Sequence, residues 1–459
     1  MPERPTPYTQ HVKVNVANQT EPVEVLVTGQ PVAISVEQPV SVEVGQPVAV
    51  TITEPLSITE SAPVLSDINF DAFGRLRVSN PTSLFDAQLT YNLSPLLYEA
   101  ITAESGAAVA HDATNRMALM TLASAPNGGK AYMQTYEYFR YQPGKGNLCF
   151  ITFNMKGGVA NVQKFAGYSD GANGIEFLMN GTTPSIRILS DTGVGDVVVA
   201  QESWNLDTMD GNGPSGILLD FTKTQILALD FQALYVGRVR IGFDVSGMLY
   251  YVHEFNHAND EIAPYIQSAN LPIRCGMTCT DTASTTMNFI CCSVISEGGQ
   301  EDNLGFLFSA EGTATAGNGA DTHILSIQPK TTFNSITNRI KMVLESVDII
   351  VTGNSPVLWK LCLGQALTSI SLTDVNATYS GMQTVAGTLS STPAIIVAQG
   401  YVGATATTKQ AISKPTAVKY PITLDAAGAA RDLGRITVLV QGIGGNSATR
   451  CVLNWKEIR

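Results

Sequence analysis

The sequence predicts an all-β chain: N-terminal proline/valine strand repeats, then a jelly-roll or concanavalin-like β-sandwich, then a second, smaller C-terminal β-sandwich. Three observations predict it. A proline returns at Pro22, Pro31, Pro39, Pro47, Pro55 and Pro63, with a first interval of nine residues and eight thereafter. From about Ala131 to Ile295 short apolar runs alternate with Gly, Asn and Asp, and helix patterns are few. Beyond Glu297-Gly298-Gly299 a further series of such runs begins.

Residues 1–66 form the repeat region. All units but the last read Glu/Gln-Pro-Val/Leu-x-Val/Ile, as in Gln38-Pro39-Val40-Ser41-Val42. Alternate valines signal a strand with period two, and an even step of eight preserves parity. Val40, Val42, Val44, Val48, Val50 and Ile52 therefore share one face, as do Leu56 and Ile58. The nine-residue step spanning Gly29 shifts the parity, which predicts a bulge or turn there. Proline lacks a ladder donor and belongs at a strand start, edge or corner. A repeat unit cannot bury its apolar stripe alone, so it stacks or oligomerises. The expected arrangement is several chains about one axis, most simply three, with Val40 to Ile52 as the oligomerisation or attachment residues. This reads as a fibre stem or attachment segment.

Residues 67–300 are expected to form the larger sandwich. Its strands include Leu148–Phe153, Ile175–Leu178 and Ser185–Leu189. The clearest hairpin joins Val239–Val245 to Met248–His253 across Ser246-Gly247. Residues 301–459 are read as the smaller sandwich, with strands at Ile340–Val351, Val357–Leu361, Ile436–Val440 and Cys451–Trp455. Its Ala/Thr/Gly-rich stretches, Gly312 to Asp321 and Val402 to Thr408, are expected as loops.

Bulk properties narrow the function. Only 14% of residues are charged, so the surface must rely on Ser, Thr, Asn, Gln and Gly, which suits stable assembly. A net charge of −12 opposes direct binding to nucleic acid or anionic membrane. No apolar run approaches the ~20 residues of a membrane helix. Met1-Pro2-Glu3-Arg4-Pro5 has no basic region followed by an apolar core, so no secretory signal is expected. Seven cysteines, two of them adjacent at Cys291-Cys292, do not read as a disulfide framework, and a reducing compartment is expected.

Several motifs invite chemistry. His253-Glu254-Phe255-Asn256-His257 matches H-E-x-x-H, in which a helix brings both imidazoles to one zinc ion. Here the preceding residues alternate as a strand, where the two histidines lie ~13 Å apart. They are expected to make loop or interface hydrogen bonds. Cys275, Cys279, Cys291 and Cys292 have no zinc-ribbon spacing and read as small core residues on two strands. No phosphate-cradling loop and no G-x-S-x-G elbow occurs. Asp207 with Asp210, and Asp220 with Asp230, could bind a cation or a sugar but read as solvated acids. Tyr132, Tyr136, Tyr138, Tyr141, Trp204, Tyr250 and Tyr251 could line a carbohydrate groove, or fill a core or interface. The expectation is no catalytic residue, no cofactor, no metal and no enzymatic activity.

The segment Asp71-Ala72-Phe73-Gly74-Arg75-Leu76-Arg77-Val78-Ser79 resembles a family of tailed-bacteriophage virion structural proteins. Supporting stretches are Ser203–Asp207, Val236–Phe243, Val252–Asn259, Asn270–Arg274 and Cys292–Gly299, covering roughly residues 67–300. The resemblance implies a particle component with a jelly-roll or concanavalin-like sandwich and carries over no catalytic residue. The expected function is a structural component of the virion: a trimeric fibre, collar or tail-associated protein, assembled in the host cytoplasm and anchored through its N-terminal repeats. Its expected partners are its own copies and other virion proteins. The alternative is a receptor-binding spike that binds or cleaves host surface glycan.

Overall fold

The computed structural model describes residues 11–14, 23–26, 81–232, 234–268, 270–299, 305–390, 394–404, 410–413 and 421–459. The chain divides into two compact units, Met1–Asp67 and Ile68–Arg459. In the first, His11–Val14 pairs antiparallel with Val23–Leu26, placing Val12 opposite Val25 and Val14 opposite Val23. Val23 follows Pro22 in the sequence, as expected of a proline that precedes a strand. The proposed attachment residues Val40, Val42, Val44, Val48, Val50 and Ile52 lie outside the described residues, as does the segment from Asp71 to Ser79.

The second unit is built from antiparallel sheets, and its described helical content is two single 3₁₀ turns, Gln201–Ser203 and Asp432–Gly434. The all-β class expected from the sequence, with a jelly-roll or lectin-like sandwich and a smaller one after it, is the observed one. A seven-stranded sheet runs from edge to edge as Val197–Ala200, Thr183–Leu189, Gly174–Asn180, Val162–Ser169, Ile273–Cys279, Lys130–Thr135 and Tyr98–Ala103. An eight-stranded sheet faces it. Its order is Met248–Phe255, Val239–Val245, Gln225–Gln232, Gly146–Asn154, Ala283–Glu297, Met117–Ala125 and Ala107–Asp112, with Pro81–Gln88 also paired to Ala283–Glu297.

Period-two alternation sets which side chains meet between these sheets. Leu227, Leu229 and Phe231 point inward from one sheet, and Ile175, Phe177 and Met179 from the other, into one shared core. The predicted hairpin is present. Ser246 and Gly247 both have positive φ (58° and 83°), as a two-residue turn between twisted strands requires.

The second sandwich stacks a four-stranded sheet (Phe306–Ala316, Ser447–Ile458, Lys341–Val351, Gln410–Ser413) on a six-stranded one. The latter runs Leu367–Asp374, Met382–Leu389, Thr322–Pro329, Ile436–Gly442, Val357–Leu363 and Ile395–Val402. Trp359, Val438, Leu453 and Trp455 lie in its separate core. One expectation fails here: Gly312–Ala316 is not loop but the end of strand Phe306–Ala316. Gly312, Ala314 and Ala316 alternate with threonines, and small residues suit a strand laid along the edge beside Cys451 and Thr449. Composition alone hid that alternation.

The two sandwiches meet at Tyr136–Tyr138. The guanidinium of Arg431 lies 3.5 Å from the Tyr136 ring centroid and that of Arg339 lies 4.1 Å from Tyr138. Lys341 pairs with Glu137, and the Ala426 amide donates to Glu99 Oε2 at 2.8 Å. Burial raises the Glu99 carboxyl above its ordinary range and pushes the Tyr138 phenol up to about 12.

Candidate functional site

A sheet surface with chemistry on it is the outward face of the seven-stranded sheet. Strand register places its side chains in transverse rows. One row reads Val198, Arg187, Glu176, Gly167, Arg274, Gln134 and Glu99, one residue from each strand. The adjacent row reads Ala200, Ser185, Leu178, Phe165, Gly276, Tyr132 and Ile101. Beyond it runs a polar row of Thr183, Asn180, Gln163, Thr278, Lys130 and Ala103. An apolar and aromatic strip is thus flanked by polar and charged rows.

The sequence dictates this arrangement locally. Arg274 sits between Ile273 and Cys275, Arg187 between Ile186 and Ile188, and Glu176 between Ile175 and Phe177. In each triplet the apolar pair belongs to the core, so period two turns the charged residue outward. Two glycines let the rows lie flat. A β-carbon at Gly276 would meet Tyr132 Cβ at 2.0 Å, and one at Gly167 would meet Glu176 Cγ at 2.7 Å. Neighbouring side chains therefore fold across these positions, and Phe165, Leu178, Gln134 and Glu176 are buried although they face away from the core.

The charges are treated unequally. Glu176 is bound by Arg187 through Nε at 3.2 Å and through Nη2. Arg274 instead lies over aromatic rings, 4.2 Å from the Tyr132 centroid and 5.0 Å from that of Phe165. Its Nε is enclosed and donates to no acceptor. Gln134 Nε2 donates to the Tyr138 hydroxyl at 3.2 Å, linking the charged row to the junction with the second sandwich. Glu176 and Glu99 are four strand spacings apart in that row, ~19 Å, so they are not the close carboxylate pair of glycosidic hydrolysis.

The other residues singled out by the sequence are dispersed. His253 lies on strand Met248–Phe255, where its Nδ1 accepts from the Asn205 amide at 3.1 Å. His257 Nδ1 donates to the Gly237 carbonyl at 2.9 Å, and its ring stacks on Tyr265 with centroids 4.1 Å apart. Burial lowers the pKa of both imidazoles. Cys275 and Cys279 line one sheet and Cys292 the other, all buried, and the Cys292 sulfur lies 3.1 Å from the Tyr98 hydroxyl. Burial pushes the Cys292 thiol up to about 12, so it is no thiolate at neutral pH. Asp207 accepts from the Met209 and Ser215 amides, and Asp210 from Thr208 and the Asn212 amide, so each holds its own loop. Asp230 binds Arg240 and Tyr251 on the opposite sheet. Of the aromatics, Tyr132 reaches the candidate face and Tyr138 adjoins it. Tyr136 meets the second sandwich, whereas Tyr141 and Trp204 belong to the core.

No family model matches the chain, and no curated protein does. Solved structures do. Cellulose induced protein Cip1 is 12% identical, with 46% of this chain and 96% of that chain covered and a TM-score of 0.29. Peanut lectin is also 12% identical, with 48% and 98% covered and a TM-score of 0.29. The carbohydrate esterase of Shiga toxin-encoding bacteriophage phi24B is 11% identical, with 48% and 100% covered and a TM-score of 0.27. At these scores the matches assign no family and no activity.

They do correct one expectation. No enzymatic activity is expected from the sequence, yet an esterase and an alginate lyase are among the matched structures. That exclusion is withdrawn. Catalytic groups are recognised by geometry and can come from separate strands, so the lack of a contiguous motif excludes none.

Proposed function

We propose that the chain is a component of a tailed-bacteriophage particle that recognises glycan through the outward face of the seven-stranded sheet. The observation that carries this reading is the part-exposed Tyr132, backed by the buried Phe165 and Leu178 of its row, between two hydrogen-bonding rows. Sugars present apolar ring faces edged with hydroxyl groups. An aromatic ring beside polar and charged side chains meets both parts of that surface. The particle setting is favoured by the resemblance of residues 67–300 and by the proline/valine repeat, which cannot bury its own stripe. In this reading residues 1–66 anchor the protein, through Val40 to Ile52 and most simply about a threefold axis, to its own copies and other virion proteins. A homo-oligomer then multiplies weak sugar contacts.

The test is a glycan array with the purified full-length protein, followed by calorimetry on the sugars retained. Tyr132→Ala is expected to weaken binding roughly tenfold, the worth of one aromatic contact. Retention of no glycan, at protein concentrations that would detect millimolar affinity, refutes the proposal.

A further inference from the structure

Resting on the glycan reading above, we infer that the seven-stranded face contains an acid-sugar subsite centred on Arg274, which receives the carboxylate of a uronic acid. The guanidinium occupies a built position. Tyr132 and Phe165 lie against it, and Gly171 closes on it from the loop after Ser169. Gly171 has φ +93°, and a β-carbon there would stand 1.9 Å from Nη1, so only glycine leaves the space that the guanidinium fills.

What this position lacks is an acceptor. Among the described residues, Arg187 is bound to Glu176, Arg240 to Asp230 and Arg435 to Asp432. Arg274 has no such partner, and of the two carboxylates that share its row Glu176 is held by Arg187 and Glu99 accepts from the Ala426 amide. An arginine carries five donors in a planar fork, and enclosing one of them without an acceptor is unfavourable. The side chain as a whole is only part-buried, so donors other than Nε are open to a ligand.

The geometry selects the kind of acceptor. The guanidinium lies over rings with Nε enclosed and Nη1 beside Gly171, which leaves its terminal nitrogens to meet a ligand. A planar carboxylate matches that edge with two parallel hydrogen bonds, whereas a tetrahedral sulfate or phosphate fits it less closely. The sugar ring bearing the carboxylate then extends over Tyr132, the part-exposed ring of that strip. Arg339, 4.1 Å from the Tyr138 ring, donates to the Asp425 and Ala426 carbonyls and so keeps its charge near this end of the face. In a chain of net charge −12, this is a local surface suited to an anion.

The test is calorimetric titration of the full-length protein with tetragalacturonate, neutral cellotetraose and a sulfated carrageenan tetrasaccharide. Tetragalacturonate is expected to bind at least about tenfold more tightly than either other sugar. Arg274→Gln should abolish that preference, and Arg274→Lys should restore only part of it, since an ammonium cannot form the paired contact. The Arg274→Gln melting temperature should stay within about 3 °C of the parent, because no hydrogen bond of the fold is lost. If Arg274→Gln does not fold, Gly171→Ala makes the same test by displacing Nη1. Equal binding of charged and neutral sugars overturns the subsite and leaves the glycan reading standing. Tighter binding of the sulfated sugar overturns the carboxylate assignment. Failure of every sugar, on the array as well, removes both.

Discussion

Two enclosed charges, one from each sandwich, are treated in opposite ways. In the second, Glu457 is fully enclosed and accepts from the Gly381 amide at 2.8 Å, Trp455 Nε1 at 3.1 Å and the Ser380 hydroxyl. Arg435 in the same sandwich donates to Gln328 Oε1 at 2.9 Å and reaches Asp432 and the Gln365 carbonyl at 3.3 Å. In the first, Arg274 is half-enclosed over rings with an unused donor. A charge whose donors and acceptors are all matched fixes one structure. A charge left partly unmatched on a sheet face is available to something else.

The largest effect is therefore expected at Glu457. Glu457→Ala leaves an indole N–H, a backbone N–H and a hydroxyl without their acceptor inside the protein, and should destabilise the second sandwich by about 3 kcal/mol or more. Urea denaturation followed by tryptophan fluorescence can read this locally, since Trp359 and Trp455 lie in the second core and Trp204 in the first. A smaller effect, about 2 kcal/mol and confined to the first sandwich, is expected for Glu176→Gln, which leaves the largely enclosed Arg187 without a carboxylate. Against these, Arg274→Gln should be nearly silent in the absence of sugar. A loss at Arg274 as large as that at Glu176 would erase the distinction between the two charges.

Much of the fold was legible because strand signals are local. The runs at Leu148–Phe153, Ser185–Leu189 and Cys451–Trp455 all lie within observed strands, and Ser246-Gly247 makes the turn that its residue types require. The candidate site was only half legible. Parity alone assigns Arg274, Glu176 and Arg187 to the outward face, since each is a charge set between two apolar residues. That they share a row is a property of register across non-consecutive strands. Ile273–Cys279 lies between Val162–Ser169 and Lys130–Thr135, and no local pattern encodes such a neighbourhood. The H-E-x-x-H string shows the converse. It is conspicuous in sequence, and its strand setting gives each imidazole a backbone partner of its own.

Those histidines give the smallest test of the contrast, and its sign follows from burial. His253 and His257 in the first sandwich and His323 in the second all have pKa values lowered mainly by desolvation. Glu254 opposes the shift at His253, the Gly237 hydrogen bond and then Glu261 and Asp260 oppose it at His257, and Arg435 reinforces it at His323. Each native state thus binds fewer protons than the unfolded chain just below the ordinary histidine pKa of about 6.5. Their contribution is complete above that pH, declines as pH falls toward the folded-state pKa values, and is level below them. Between pH 7.5 and 5.5 the Trp204 transition should therefore move to lower urea further than the Trp455 transition, because two such groups act on the first sandwich and one on the second. His253→Gln retains a side-chain acceptor for the Asn205 amide and should remove part of that excess. Equal shifts in both transitions, or an unchanged excess in His253→Gln, would show that acid acts on the first sandwich through other groups.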